Sequence, residues 1–142
     1  MEKIRIVPVL RSGLDIVWPL LEEGLLAIEA KGGEQEEPVP VVRAGIERGM
    51  YLPFFVYRDK RYIGFIIGKI NQTPQNLEFC IYKGYKIPGE DWLEPSFFLQ
   101  LKSIIQQFNC TVISFYSTRR GWEKAAARLG FKQGYTQYLM EV

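Results

Sequence analysis

The chain offers few residues suited to chemistry, and their types set limits. Histidine is absent. That removes the commonest general base and the commonest metal ligand from any mechanism. Cys80 and Cys110 stand far apart, with no Cys-x-x-Cys spacing and no histidine to join them. No metal site is expected from that pattern, and the thiols read as buried and free, as in a reducing compartment. Carboxylates, phenols and cations remain. Arg120, Lys124 and Arg128 fall at i, i+4 and i+8, which lines them along one helix face. With Arg119 they could meet phosphate, nucleic acid or an acidic protein, or form a solvated face. Tyr51, Phe54, Phe55, Tyr57, Tyr62 and Phe65 crowd one short region. They fit either an aromatic core or an exposed partner surface.

Something must position these groups. The chain has 142 residues, 47% hydrophobic and 24% charged, which matches a globular chain rather than a disordered one. One domain over residues 1–142 is expected from that length. The net charge of +2 is too small for a dedicated nucleic-acid binder. Met1-Glu2-Lys3 leads into a short, interrupted apolar stretch, so no secretory signal is read. No run approaches the length of a membrane span, and a cytoplasmic location is expected.

Ile4, Ile6 and Pro8 alternate as a first strand. Ser12 and Asp15 resemble a capping box for a helix from Leu14 to Ala30, with Pro19 near its first turn and Gly32-Gly33 at its end. The acidic stretch Glu34 to Pro40 reads as a loop, and a short helix follows over Val41 to Arg48. Tyr51 to Tyr57, the charged turn Arg58-Asp59-Lys60-Arg61 and Tyr62 to Ile70 form a hairpin signal. Gly64 and Gly68 inside it predict a bulge or a close backbone approach. Leu77 to Tyr82 alternates, with Leu77, Phe79 and Ile81 on one face and Glu78, Cys80 and Tyr82 on the other. Lys83 to Glu90 reads as a loop. A helix with a stripe of Leu93, Phe97, Leu101, Ile104, Ile105 and Phe108 follows, capped by Asp91 with Glu94 or, because of Pro95, starting a turn away. Thr111 to Tyr116 is a strand, Arg119 to Leu129 a helix with Trp122, Ala125, Ala126 and Leu129 inward, and Gln133 or Tyr135 to Val142 a final strand. The order β-α-α-β-β-β-α-β-α-β predicts an α/β (α+β) domain, a mixed sheet with helices on both faces.

With that order, Gly121-Trp122-Glu123-Lys124-Ala125-Ala126-Ala127-Arg128-Leu129-Gly130-Phe131 resembles the closing helix of the GNAT superfamily of N-acyltransferases. Gly130 ends the helix and Phe131 folds back into the core. The resemblance covers the whole order of elements. It implies a mostly antiparallel central sheet and acyl transfer from acetyl-CoA or another acyl-CoA to an amine acceptor. It places the donor's pyrophosphate on backbone N–H groups at Lys83 to Trp92. Tyr82, Lys83, Gly84, Lys86 and Gly89 would then bind cofactor, with Arg119 and Arg120. Glu78 would be the general base and Tyr116 the acid.

The chain departs from the family twice. The glycine spacing of the phosphate segment differs, Pro88 removes a donor, and Glu90 and Asp91 bring negative charge. The family's tyrosine acid falls at Ala126, which has no proton to give. A non-catalytic scaffold is therefore the alternative, with a protein partner or a homo-oligomer. Thr118-Arg119-Arg120-Gly121-Trp122 is similar to small bacteriophage-encoded proteins of this type, some of them virion-associated.

Overall fold

The computed structural model describes residues 3–32, 36–115, 126–132 and 140. Five strands form one sheet in the order β1-β2-β3-β4-β5: β1 (Ile4–Pro8), β2 (Leu52–Arg58), β3 (Arg61–Gln72), β4 (Leu77–Lys86) and β5 (Val112–Phe115). Neighbours are antiparallel except β4 and β5, which are parallel. The connection between those two carries helix α3 (Pro95–Gln106), as a parallel crossover requires. Helices α1 (Leu14–Gly32) and α2 (Val39–Glu47) link β1 to β2. The mixed sheet with helices on both faces is therefore present. The expected last helix is described only near its end and the final strand hardly at all.

Each face of the sheet has its own apolar core. Ile4, Ile6, Phe54, Val56, Ile66 and Phe79 pack with Trp92 and with Phe97, Leu101 and Ile105 of α3. Phe55, Phe65 and Ile67 face the other way, against Leu14, Trp18, Leu21 and Leu25 of α1 and Val42 and Ile46 of α2. Alternate residues of β2 serve opposite cores, which is the strand period at work. The hairpin aromatics thus build both cores: Phe54, Phe55 and Phe65 are buried, and Tyr57 and Tyr62 half-buried.

Several local expectations change. Ser12 lies in a single 3-10 turn, Arg11–Gly13, and makes no cap. Asp15 pairs instead with Arg43 of α2, which also holds Glu47 at 2.8 Å. Pro19 sits inside α1, on an exposed side, beyond the first turn. Helix α2 begins at Val39, because Pro38 and Pro40 suit a first turn whose N–H groups need no helical partner. Helix α3 begins at Pro95 for the same reason, with Glu94 in the extended capping position. Asp91 accepts the Leu93 N–H at 3.3 Å and stays outside the helix. Phe98 joins the α3 core, while Phe108 lies beyond the helix end and is largely exposed.

Gly130 has φ +91. The Phe131 N–H donates to the Ala126 carbonyl at 2.8 Å and the Gly130 N–H to the Ala127 carbonyl at 3.1 Å, the paired bonds of a glycine-ended helix. Phe131 then packs edge-on against Phe98 and Phe115, as its place after Gly130 predicts. At the far edge of the sheet, the Gln100 side chain of α3 is bonded to β1 through both of its ends. Its oxygen accepts the Ile6 N–H at 2.5 Å, and its nitrogen donates to the Ile4 carbonyl at 2.9 Å.

Gly68 explains itself by contact. A Cβ on it would overlap the Phe79 ring from the paired strand. The Gly68→Ala variant is expected to lose about 1–3 kcal/mol through forced repacking. Equilibrium denaturation in urea measures this as a lower midpoint with an unchanged slope.

Candidate functional site

The register of β3 with β4 slips by one residue. Ile67 pairs with Lys83 and Gly68 with Ile81, so Tyr82 is an extra residue, a β-bulge. A bulge interrupts the alternation of side chains. Here it puts Tyr82 and Lys83, adjacent in sequence, on the same side of the sheet, toward α2. Both reach the segment leading into that helix: the Tyr82 hydroxyl donates to Glu37, and the Lys83 ammonium pairs with Glu36. Tyr51 donates to the same Glu37 oxygen at 2.8 Å, and its ring lies 4.8 Å from that of Tyr82. Tyr51 can lie flat along α2 because Gly45 faces it, where a Cβ would overlap the ring. Lys69 and Lys83 place their ammonium groups 4.9 and 4.8 Å from the Tyr82 ring centre.

The electrostatics follow from these contacts. The Tyr82 hydroxyl, then that of Tyr51, holds the Glu37 carboxyl below its ordinary value of 4.5 against an opposing desolvation, with Lys83 and Lys69 helping. Glu37 is thus an anion at neutral pH. Burial pushes the Tyr82 phenol far up and that of Tyr51 up, and Glu37 adds to both. Both phenols stay protonated donors. Glu37 heads a groove of about 410 Å³ along α2, shared with Pro40, Val41, Ala44, Met50, Arg48 and Tyr51. Tyr51 and Tyr82 both bind one carboxylate oxygen of Glu37. The other has no partner among the described residues.

The sequence-read candidates separate in space. Tyr82 and Lys83 enter the cluster with Glu36, Glu37 and Tyr51. Glu78 lies further along β4, half-buried, accepting the Ser114 hydroxyl of β5 at 2.5 Å. The strand runs to Lys86, so Lys83, Gly84 and Lys86 are strand residues rather than loop residues. They pair with Ile67, Ile66 and Gly64. Lys86 sits 3.6 Å from Asp91, and Gly89 forms the following turn at φ +88. Tyr116, Arg119 and Arg120 lie outside the described residues, as do Trp122 and Lys124. Arg128 is exposed. Sequence reasoning does not find Glu36, Glu37 and Tyr51 as site residues. The only signal is the acidic run before Pro38, which reads equally as a solvated loop. Among the described residues no cluster of His, Cys, Asp or Glu could hold a metal, and no helix is long and apolar enough to cross a membrane.

In the segment from Ile87 to α3, where the resemblance would place the pyrophosphate of acyl-CoA, the N–H groups of Gly89, Asp91, Trp92 and Ser96 have no partner among the described residues, and the others are taken. The Ile87 N–H is bonded to the Ile63 carbonyl at 3.0 Å, Glu90 N–H to Ile87, and Glu94 N–H to Trp92. Leu93 N–H is taken by Asp91, and Phe97 and Phe98 N–H by the Glu94 carbonyl. Pro88 and Pro95 carry none. The nearby cations are also engaged. Glu90 holds Arg61 at 3.0 Å and Arg58 at 3.6 Å, and the Asp91 carbonyl accepts from Arg58 at 3.0 Å.

Two tests address the cluster. Glu36→Gln strips the counter-charge from the Lys83 ammonium, whose side chain is only 5% exposed. It is expected to cost about 1–3 kcal/mol, while Lys83→Met, which removes the buried charge itself, costs less. Denaturation midpoints of the two variants measure the asymmetry. Because the folded-state Glu37 pKa is depressed, its contribution is complete above 4.5 and is lost as pH falls through its lowered value. Glu37→Gln should therefore lose stability less steeply than the parent chain as pH falls from 4.5 to that lowered value, as acid titration of the unfolding free energy would reveal.

No protein-family model matches the chain, and no curated protein matches its sequence. Solved structures do match. A probable acetyltransferase superposes with a TM-score of 0.70 at 13% identity, over 97% of both chains. An aminoglycoside acetyltransferase from an uncultured soil metagenomic sample, in complex with sisomicin, gives 0.67 at 7% identity over 98% of this chain and 96% of that one. The ribosomal-protein-alanine N-acetyltransferase of Brucella melitensis biovar Abortus 2308 gives 0.64 at 9% identity over 99% and 100%. At such identities the likeness is one of fold. With the mixed sheet, the crossover through α3 and the Gly130–Phe131 closure, it gives this chain a GNAT-like fold.

Proposed function

We propose that this protein transfers an acyl group from a thioester to an amine, and that Glu37 holds the acceptor as its ammonium form. One observation carries the reading: an ionised carboxylate, fixed by two phenols, heads an open groove beside the bulge of the central strand. Its second oxygen has no hydrogen-bond partner among the described residues, with Arg48 lining the same groove. The apolar stem of an amine would lie on Val41, Ala44 and Met50, which line the same groove. The amine-bearing ligand of the aminoglycoside acetyltransferase structure supports an acceptor of this kind. A chain of this fold is a scaffold for many chemistries, so the site and not the fold bears the argument.

An ammonium must lose a proton before its nitrogen can attack. Glu37 is too weak a base for that, its pKa being lowered, so it positions. Glu78 is the proposed base, acting through water on the same face of β4, with Ser114 orienting its carboxylate. The nitrogen bonds to the carbonyl carbon, the carbon–sulfur bond breaks, the leaving thiolate takes a proton from Tyr116, and the second proton of the nitrogen passes through water to restore that phenol. Backbone at the Tyr82 bulge, with Arg119 and Arg120, is the proposed donor-side contact.

A second reading has its own support. Ala126 stands where the family's acid is expected, and its carbonyl is committed to the Phe131 N–H. A non-catalytic module that binds a protein partner would need neither acid nor donor site. Transfer of an acetyl group to any amine removes that reading.

Steady-state kinetics across a panel of primary amines tests the proposal. Glu37→Gln is expected to raise KM for the amine by about 10–100-fold with kcat little changed, and Glu78→Gln to lower kcat by about 100-fold with KM little changed. Equal effects of both variants on both parameters, or no transfer at all, would count against it.

A further inference from the structure

We infer that the amine acceptor also carries a carboxylate, which Arg48 binds at the far end of the α2 groove. The substrate is then an amino carboxylate with an apolar stem rather than a simple amine. The inference rests on the acyl-transfer reading and names the substrate class of the same site. It arises from the way charge is distributed in the groove. Of its described lining residues only Glu37 and Arg48 are charged.

The helix period puts these two ends in line. Pro40, Val41, Ala44, Gly45 and Arg48 lie at i, i+1, i+4, i+5 and i+8, on one face of α2. Pro38 and Arg48 flank the helix at its two ends, about 15 Å apart at the helical rise. Side chains on a helix lean toward its N-terminus, which brings Arg48 back over Ala44, toward Glu37. With both side chains reaching into the groove, on the order of 10 Å is left between their charges. The floor between them is apolar, with Val41 and Met50 exposed and Ala44 half-buried. It suits an alkyl or apolar peptide stem.

Arg48 is available for a ligand. Its side chain is exposed and has no hydrogen bond or ion pair among the described residues. Only its backbone N–H is used, on the Ala44 and Ile46 carbonyls. The neighbouring charges are taken: Arg43 holds Asp15 and Glu47, and Arg11 donates to the Glu47 carbonyl at 3.4 Å. A guanidinium gives a carboxylate two parallel hydrogen bonds, which an ester or a methyl group cannot match. A second ammonium at that end would be repelled. The groove thus sorts amines by what they carry far from the nitrogen. The dipole of α2 opposes both charges of such a ligand, so the two side chains bear the recognition and the helix ends do not. The reaction is unchanged. Nitrogen to carbonyl carbon forms and carbon to sulfur breaks. One proton of the ammonium leaves toward Glu78, and a second replaces the one given to sulfur. The distant carboxylate stays ionised throughout.

Steady-state kinetics with acetyl-CoA as donor compares 8-aminooctanoate with its methyl ester and with octylamine. The expected kcat/KM for the acid exceeds the other two by about tenfold or more, carried by KM, as one added charge-assisted contact gives. Arg48→Gln should bring the three within about threefold. Arg48→Lys, which keeps the charge, should keep most of the preference. Ala-Ala-Ala and its C-terminal amide repeat the comparison on a stem of about 10 Å, the reach of three extended residues. A preference for the acid in either series, lost in Arg48→Gln, sustains the inference, and the series with the higher kcat/KM tells an amino fatty acid from a short peptide. Equal use of acid and uncharged analogue in both series, or a preference that survives Arg48→Gln, overturns the inference and leaves acyl transfer standing. Transfer to none of these amines overturns the acyl-transfer reading. Calorimetric titration with 8-aminooctanoate and octylamine then decides the groove alone. Tighter binding of the acid, abolished by Arg48→Gln, sustains the inference, and equal or absent binding overturns it.

Discussion

The one-residue bulge at Tyr82 is the constraint on which the rest of the site depends. The sheet is covered on both faces, so a strict alternation along β4 would deliver every second side chain to the Phe79 core. Lys83 stands one step after Tyr82 and would turn toward that core. There its ammonium would lack a counter-charge, at a cost of several kcal/mol. The extra residue turns it to the α2 side, where Glu36 meets it. It also restores the phase for Tyr85, which packs on Phe65 in the second core. One inserted residue thus determines both where the charge goes and which core the end of the strand serves.

The consequence reaches α2. Glu36 and Glu37 precede that helix by only a few residues, and their partners lie on the central strand. Fixing Tyr82 and Lys83 therefore fixes the entry of α2 over the sheet. Gly45 lets Tyr51 close the arrangement from the other end of the helix. The polar contacts and the glycine packing act on the same short helix, so its groove has little freedom to change width. That is the condition under which a carboxylate can discriminate between ligands rather than follow them.

The parts of the fold that are legible in the sequence obey a simple period. β1, both hairpin strands and the α3 stripe follow spacings of two or near 3.6. Gly130 followed by Phe131 announces a helix end that the structure forms with both expected hydrogen bonds. The end of β4 is illegible for a physical reason: the bulge breaks the period at Tyr82, and Gly84 has no side chain to mark a face. A continuing strand then looks like a glycine-bearing basic loop. Lys83 suffers most from this, since a lysine before a glycine suggests phosphate, while its real partner, Glu36, is remote in sequence. Tyr51 looks like the first residue of an aromatic strand, and nothing local reveals that its hydroxyl shares a carboxylate with Tyr82. Local capping rules misplace Asp15 because Arg43 on α2 takes its carboxylate.

The amide of Gln100 has a consequence beyond joining α3 to β1. Among the described strands β1 is an outer member of the sheet, and its other side is where another chain could add a strand. The Ile4 carbonyl and the Ile6 N–H on that side are already bound by Gln100, and Pro8 has no N–H to present. An approaching peptide finds the ladder answered before it arrives, which protects the protein from growing into a shared sheet with its own copies.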